Sequence, residues 1–370
     1  MRSRPPTPPS PDPSSDAQRT AGLARYLAAA YAFLIVYASL HPLSGWSDSG
    51  VPILAFIDAA WPRYWTVFDL VTNVIAYLPL GFLLMLALFG IRWRWLAVLA
   101  ALLLGTALSF GLECLQNYLP TRVASNVDIG CNALGTLIGA LIAVRCGDRF
   151  FGWVSRWQSR LLAPYPYVDF GLVLIGLWLL TQLSPETDLF GVGDLRHLLS
   201  LLVPERIETY ERYDASGFFA IEAGIVVFNT IAAGLLARTL LSRRTPPYLE
   251  LGSLFLVAMA VRTLAAAILI TPRNALDWLT PGAGLGLMIG AGLLSIFLLL
   301  PAWLRNMIAA FALMAGTVLV NVTPPNPYSE IALEAWRQGH FLNFNGLTRL
   351  TATLWPFLAL PYLTISARRR

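Results

Sequence analysis

Ten apolar stretches of roughly twenty residues recur along this 370-residue chain, near residues 21–41, 68–90, 94–116, 127–145, 167–184, 217–241, 250–270, 281–300, 303–323 and 350–366. A helix needs about 20 mostly apolar residues to cross the hydrocarbon core of a bilayer. Inside that core every backbone polar group must find its partner within the protein, which leaves helices as the structure open to such runs. The expected fold is therefore all-α, a polytopic transmembrane helix bundle of about ten spans. Only 13% of residues are charged, against about 25% in soluble domains. The deficit runs almost the whole length, which excludes a soluble enzyme with one anchor.

Arginine placement orients the bundle, because basic residues concentrate in cytoplasmic loops. All 26 basic residues are arginine. With the N-terminus inside, Arg63, Arg122, Arg196, Arg206, Arg212, Arg273, Arg337 and Arg349 fall outside and Arg262 falls within a span. The remaining seventeen are cytoplasmic, so both termini are expected inside. The net charge of +5 follows this loop pattern and does not point to nucleic acid.

Residues 1–20, rich in Pro, Ser and Asp, read as a disordered cytoplasmic tail. The first apolar run is too long for a signal-peptide core and reads as a retained helix. Residues 21–146 form a four-span domain, 147–166 a basic cytoplasmic linker, and 167–370 a six-span domain. No internal repeat is visible, which argues against an inverted-repeat transporter. Trp46, Trp61, Trp65, Trp93 and Trp95 flank spans as interfacial anchors. Val51–Trp65 reads as a surface-lying helix. The loop Thr187–Asp214, with Leu198, Leu199, Leu201, Leu202 and Ile207, and the helix-like Tyr328–Gln338 are placed to cover the outer mouth.

Polar residues within spans are costly and mark sites by default. Asp69, Asn73 and Tyr77 are four apart and share a helix face. Ser109, Glu113 and Gln116 share another, and Asp128, Asn132, Gly135 and Gly139 a third. The topology brings Asp69, Asn73, Glu113, Gln116, Arg122, Asp128 and Asn132 to the outer membrane surface. Asp128 sits at a helix N-terminus, where a carboxylate can cap, and Arg122 is placed to pair with Glu113 or Asp128. Gly135 and Gly139 admit a close helix neighbour. Such a group can tie helices together, hold a phosphate or peptide head group, or do acid–base chemistry, and spacing alone leaves these open. His41, His197 and His340 are scattered and none joins the group, so no metal and no cofactor is expected. Cys114, Cys131 and Cys146 read as small apolar residues.

The stretch Asp69–Ala143 resembles the VanZ-like family of bacterial membrane proteins. The resemblance rests on Asn73 with Tyr77, Pro79 and Gly81, then Glu113-x-x-Gln116, Arg122, and Asp128-x-x-x-Asn132-x-x-Gly135-x-x-x-Gly139. Ser125 and Val127 stand where many members carry further acids, which argues against a metal site. The family takes its name from a protein linked to teicoplanin resistance, and no established activity comes with it. The resemblance implies a protein of the bacterial cytoplasmic membrane, part of the cell envelope. Its outward site would bind a membrane lipid head group, a lipid-linked envelope precursor or a glycopeptide antibiotic. An intramembrane enzyme using Glu113 and Asp128 on a lipid-linked substrate is the alternative, and a transporter using Arg262 and Glu222 a third. The oligomeric state is not readable.

Overall fold

The apolar runs fold as helices, and no strand occurs among the described residues. The computed structural model describes residues 13–41, 43, 45–48, 50–58, 67–88, 90–91, 93–163, 165, 167–184, 187–196, 215–242, 247–270, 272–324, 326 and 342–367. In chain order the α-helices are α1 (Pro13–Leu40), α2 (Val67–Ala87), α3 (Arg94–Gln116), α4 (Asn126–Leu161), α5 (Val168–Thr181), α6 (Ala215–Leu240), α7 (Pro247–Leu269), α8 (Pro281–Phe297), α9 (Ala302–Val322) and α10 (Leu342–Ala367). Each falls on an expected span. Seven of them, α1–α4, α6, α7 and α9, are long and apolar enough to cross a membrane by length and composition. The apolar α5 and α8 are shorter, at 14 and 17 residues.

The chain divides into two compact units, Met1–Arg160 and Leu161–Arg370. Helix α4 runs to Leu161, straight through most of the expected linker 147–166. Pro164 is the first proline after Asn126, so no breaker interrupts the helix until then. On this extension Trp153 and Trp157, one turn apart, are exposed beside Arg156. Helix α1 begins at Pro13, inside the expected tail, with a residue that lacks the N–H a first turn cannot satisfy.

In the N-terminal unit the helices meet through small residues. Gly135 and Gly139 of α4 face the backbone of α2. A Cβ on Gly135 would lie 2.3 Å from the Val74 carbonyl oxygen, and one on Gly139 2.0 Å from that of Leu78. In return, a Cβ on Gly81 of α2 would lie 2.0 Å from the Thr136 carbonyl oxygen. The expected close helix contact is thus between α4 and α2, backbone against backbone. Toward one end lies an apolar core around Met85, Leu86, Ala97, Ala101, Ala140 and Ala143. Toward the other, Ile35, Leu40, Tyr77, Leu80, Leu112 and Leu119 pack together. Ile75, Leu103, Leu104, Leu134 and Leu141 are left exposed, as a lipid-facing belt requires.

Residues 53–58 form turns instead of the expected surface helix. The Val51 and Ile57 carbonyls accept from the side chains of Asn117 and Asn126, which holds the segment in an irregular course. Phe56 is buried and meets the Phe110 ring.

In the C-terminal unit, Gly282, Gly286 and Gly290 make a second small-residue seam, on α8 facing α6. A Cβ on Gly286 would lie 2.7 Å from the Ala223 carbonyl oxygen. Thr280 caps α8, its hydroxyl accepting from the Ala283 N–H, with Pro281 at the first helical position. Pro301, extended at the N-cap of α9, separates α8 from α9 as expected.

The segment Thr187–Arg196 departs from expectation. It is buried inside the unit instead of covering its mouth, and Leu189, Phe190 and Val192 are all but inaccessible. Irregular backbone is tolerated at such depth only where the protein satisfies its polar groups, and here it does. The Gly193 N–H donates to the Ala352 carbonyl. Asn321 accepts from the Leu195 N–H and donates to the Gly193 carbonyl. Thr353 donates to the Asp194 carbonyl. Phe190 packs against Trp178 and Phe255. Residues 1–12, Trp61 and Trp65, Leu198, Leu199, Leu201, Leu202, Ile207 and the Tyr328–Gln338 stretch lie outside the described residues.

Candidate functional site

The ends of α2, α3 and α4 come together with the α3–α4 loop to form one polar cluster. Asp69, in the first turn of α2, is exposed. One turn on, the Asn73 amide donates to an Asp128 oxygen at 2.9 Å. Asp128 is half-buried in the first turn of α4. Deeper still, Glu113 is 3% exposed, and one of its oxygens accepts from the Ser125 N–H at 2.8 Å. The three carboxylates lie within electrostatic reach of one another, Asp69 of Asp128 and Asp128 of Glu113. They step from surface to interior.

A second layer lies beneath Glu113. The Asn132 amide donates to the Ser109 hydroxyl at 2.9 Å. Thr136, one turn further along α4, donates to the Asn132 carbonyl, and Gly105 leaves room for its side chain. The Tyr77 hydroxyl faces Ser109 and Glu113 but completes no hydrogen bond. The Ser125 hydroxyl and the Asn132 side-chain oxygen are likewise buried without a partner. Buried polar atoms in folded proteins are almost always paired, so three orphans around one buried carboxylate point to a group that completes them.

Two of the expected site residues are used otherwise. The Arg122 guanidinium does not pair with Glu113 or Asp128. It donates to the carbonyls of Ala38 and His41, at 3.3 and 3.1 Å from Nη2. The Gln116 amide donates to the Ser39 carbonyl at 3.0 Å. Together they close the C-terminal end of α1, whose last carbonyls have no helical partner and whose dipole favours a cation. His41, just past that end, bonds Tyr37 through Nδ1. Burial, and then the nearby Arg122 charge, hold its pKa below the usual histidine value. The orphan carbonyls at the end of α1 are the signal that could have redirected the pairing of Arg122.

No group of three or more metal-ligating side chains is found among the described residues. Cys114, Cys131 and Cys146 are free thiols.

The C-terminal unit holds a separate buried group. Asn326 donates to Asp188 at 2.7 Å and to Glu222 at 3.1 Å. Arg262 is buried, at 2% exposure, and donates to the backbone carbonyl and hydroxyl of Thr187. This group staples the buried segment 187–196 to α6 and α7, and its contacts are those of an internal tie.

Residues 14–147, which span α1 through the membrane part of α4, match the family model VanZ/LLP1. This is the family that the motif spacing resembles. Neither a curated protein nor a solved structure matches the chain.

Proposed function

We propose that this VanZ-like membrane protein, whose N-terminal unit belongs to the VanZ/LLP1 family, uses the Asp69–Asp128–Glu113 cluster to bind the polar head of a cell-envelope component. The observation that carries the reading is the buried Glu113 in a cluster that also holds the unpartnered Tyr77 hydroxyl, Ser125 hydroxyl and Asn132 oxygen. A carboxylate at membrane depth is expensive, and three unpaired polar atoms lie in the same cluster. With both termini inside, the orientation that the arginine distribution favours, the cluster faces outward, within reach of lipid head groups, lipid-linked envelope precursors and glycopeptide antibiotics.

The test is a strain lacking the gene, complemented with wild type or with Glu113→Gln, and scored for glycopeptide sensitivity and envelope lipid profile. Wild type restores both. Glu113→Gln accumulates in the membrane to the same level yet restores neither. Full rescue by Glu113→Gln would remove the site from function.

A further inference from the structure

We propose that the head group taken by this cluster carries a protonated primary amine, and that a phosphate alone is not its ligand. The inference rests on the binding role proposed above and deepens it. Anion sites are built from arginine, helix N-termini and free N–H donors. Here the guanidinium expected to pair with these acids, Arg122, is committed to the carbonyls at the end of α1. One N–H of each of the Asn73 and Asn132 amides and the Ser125 N–H are engaged by Asp128, Ser109 and Glu113. Among the described residues no basic side chain bonds Glu113 or Asp128. Beside the two carboxylates, the atoms left unpaired are the Asn132 oxygen, an acceptor, and the Tyr77 and Ser125 hydroxyls, which can accept as well as donate.

An ammonium group is the complement of that set. It carries three donors and one positive charge on a compact centre. Buried carboxylates call for a counter-charge, and among the described residues none is paired with these two. The descent from exposed Asp69 through half-buried Asp128 to buried Glu113 gives a cation an attractive path at every depth. The amine can belong to a lipid head group or to a free molecule, since the recognised chemistry is the same.

The experiment uses the full chain in phosphatidylcholine nanodiscs, a background without N–H donors. Calorimetric titration compares dihexanoyl-phosphatidylethanolamine, dihexanoyl-phosphatidylcholine, dihexanoyl-phosphatidic acid and free ethanolamine. The expected result is binding of the ethanolamine lipid at least tenfold tighter than of the choline lipid, weakened at least tenfold by Glu113→Gln. Tyr77→Phe, which removes one unpartnered hydroxyl and nothing that holds the fold, also weakens it. Free ethanolamine binding as tightly assigns the site to soluble amines; much weaker binding assigns it to lipid. If phosphatidic acid or the choline lipid binds equally well and still depends on Glu113, the amine inference fails and the head-group reading survives. If no ligand depends on Glu113 or Tyr77, both fail.

Discussion

Gly139→Val abolishes accumulation of the folded protein, and Gly130→Ala in the same helix leaves it unchanged. A Cβ on Gly139 would stand 2.0 Å from the Leu78 carbonyl oxygen and 2.8 Å from the Phe82 nitrogen. Both are backbone atoms of α2, so no rotamer change relieves the overlap and the two helices must separate. Ordinary overpacking costs about 1–3 kcal/mol where side chains can adjust, and here the cost is greater. Separation also removes the reciprocal contact in which Gly81 admits the Thr136 carbonyl, and it pulls Asn73 from Asp128. In lipid, helix association rests on close packing of this kind because no hydrophobic drive remains between apolar helices. At Gly130 an added Cβ meets open space. Quantitative blotting of membrane fractions, with thermal unfolding in detergent for any protein recovered, checks the pair. Wild-type levels and stability of Gly139→Val would show that the α2–α4 contact is not a close backbone crossing.

That seam was legible because its cause is local. Two small residues four apart mark a helix face that can be approached, whatever approaches it. The same logic applied to Gly282, Gly286 and Gly290, and those residues were visible only as parts of an apolar run until α6 was seen against them. The spans were legible for the same reason, since length and apolarity act residue by residue. The shared level of Asn73, Glu113, Asp128 and Asn132 followed from topology. The partner of Arg122 did not. Charge alone sends an arginine to the nearest acid, but a helix end presents several unbonded carbonyls at once, and the end of α1 is distant in sequence. The interior course of Thr187–Arg196 was illegible for a related reason. Its polar backbone is satisfied by Asn321, Ala352 and Thr353, partners more than a hundred residues away, and no short-range pattern announces them.

The second large effect lies in that buried segment: the C-terminal unit loses stability as pH rises from about 4 to 7, and Asp188→Asn removes the dependence. Asp188 lies outside the spanning helices, and burial pushes its pKa up to about 6, while the Asn326 hydrogen bond and the Arg196 and Arg262 charges pull the other way. The folded state therefore binds the proton more tightly than the unfolded chain, whose aspartate titrates near 4. Where the folded state holds more protons, stability falls with rising pH. The contribution is complete below about pH 4 and gone above the folded value, an effect of roughly 3 kcal/mol. Arg262→Ala enlarges it. That change takes the donor from the Thr187 carbonyl and a compensating charge from beside Asp188, and breaking one side of a buried charged group costs about 3–5 kcal/mol. Because Asp188 is ionised at neutral pH, the loss is greatest there, and acidification to pH 5 restores part of it. Thermal unfolding in detergent at pH 5 and 7.5, followed by tryptophan fluorescence from the buried Trp178 and Trp355, reads all three proteins on one scale. A wild-type midpoint that rises with pH over this window would mean that Asp188 is held ionised in the fold, with Arg262 as its counter-ion.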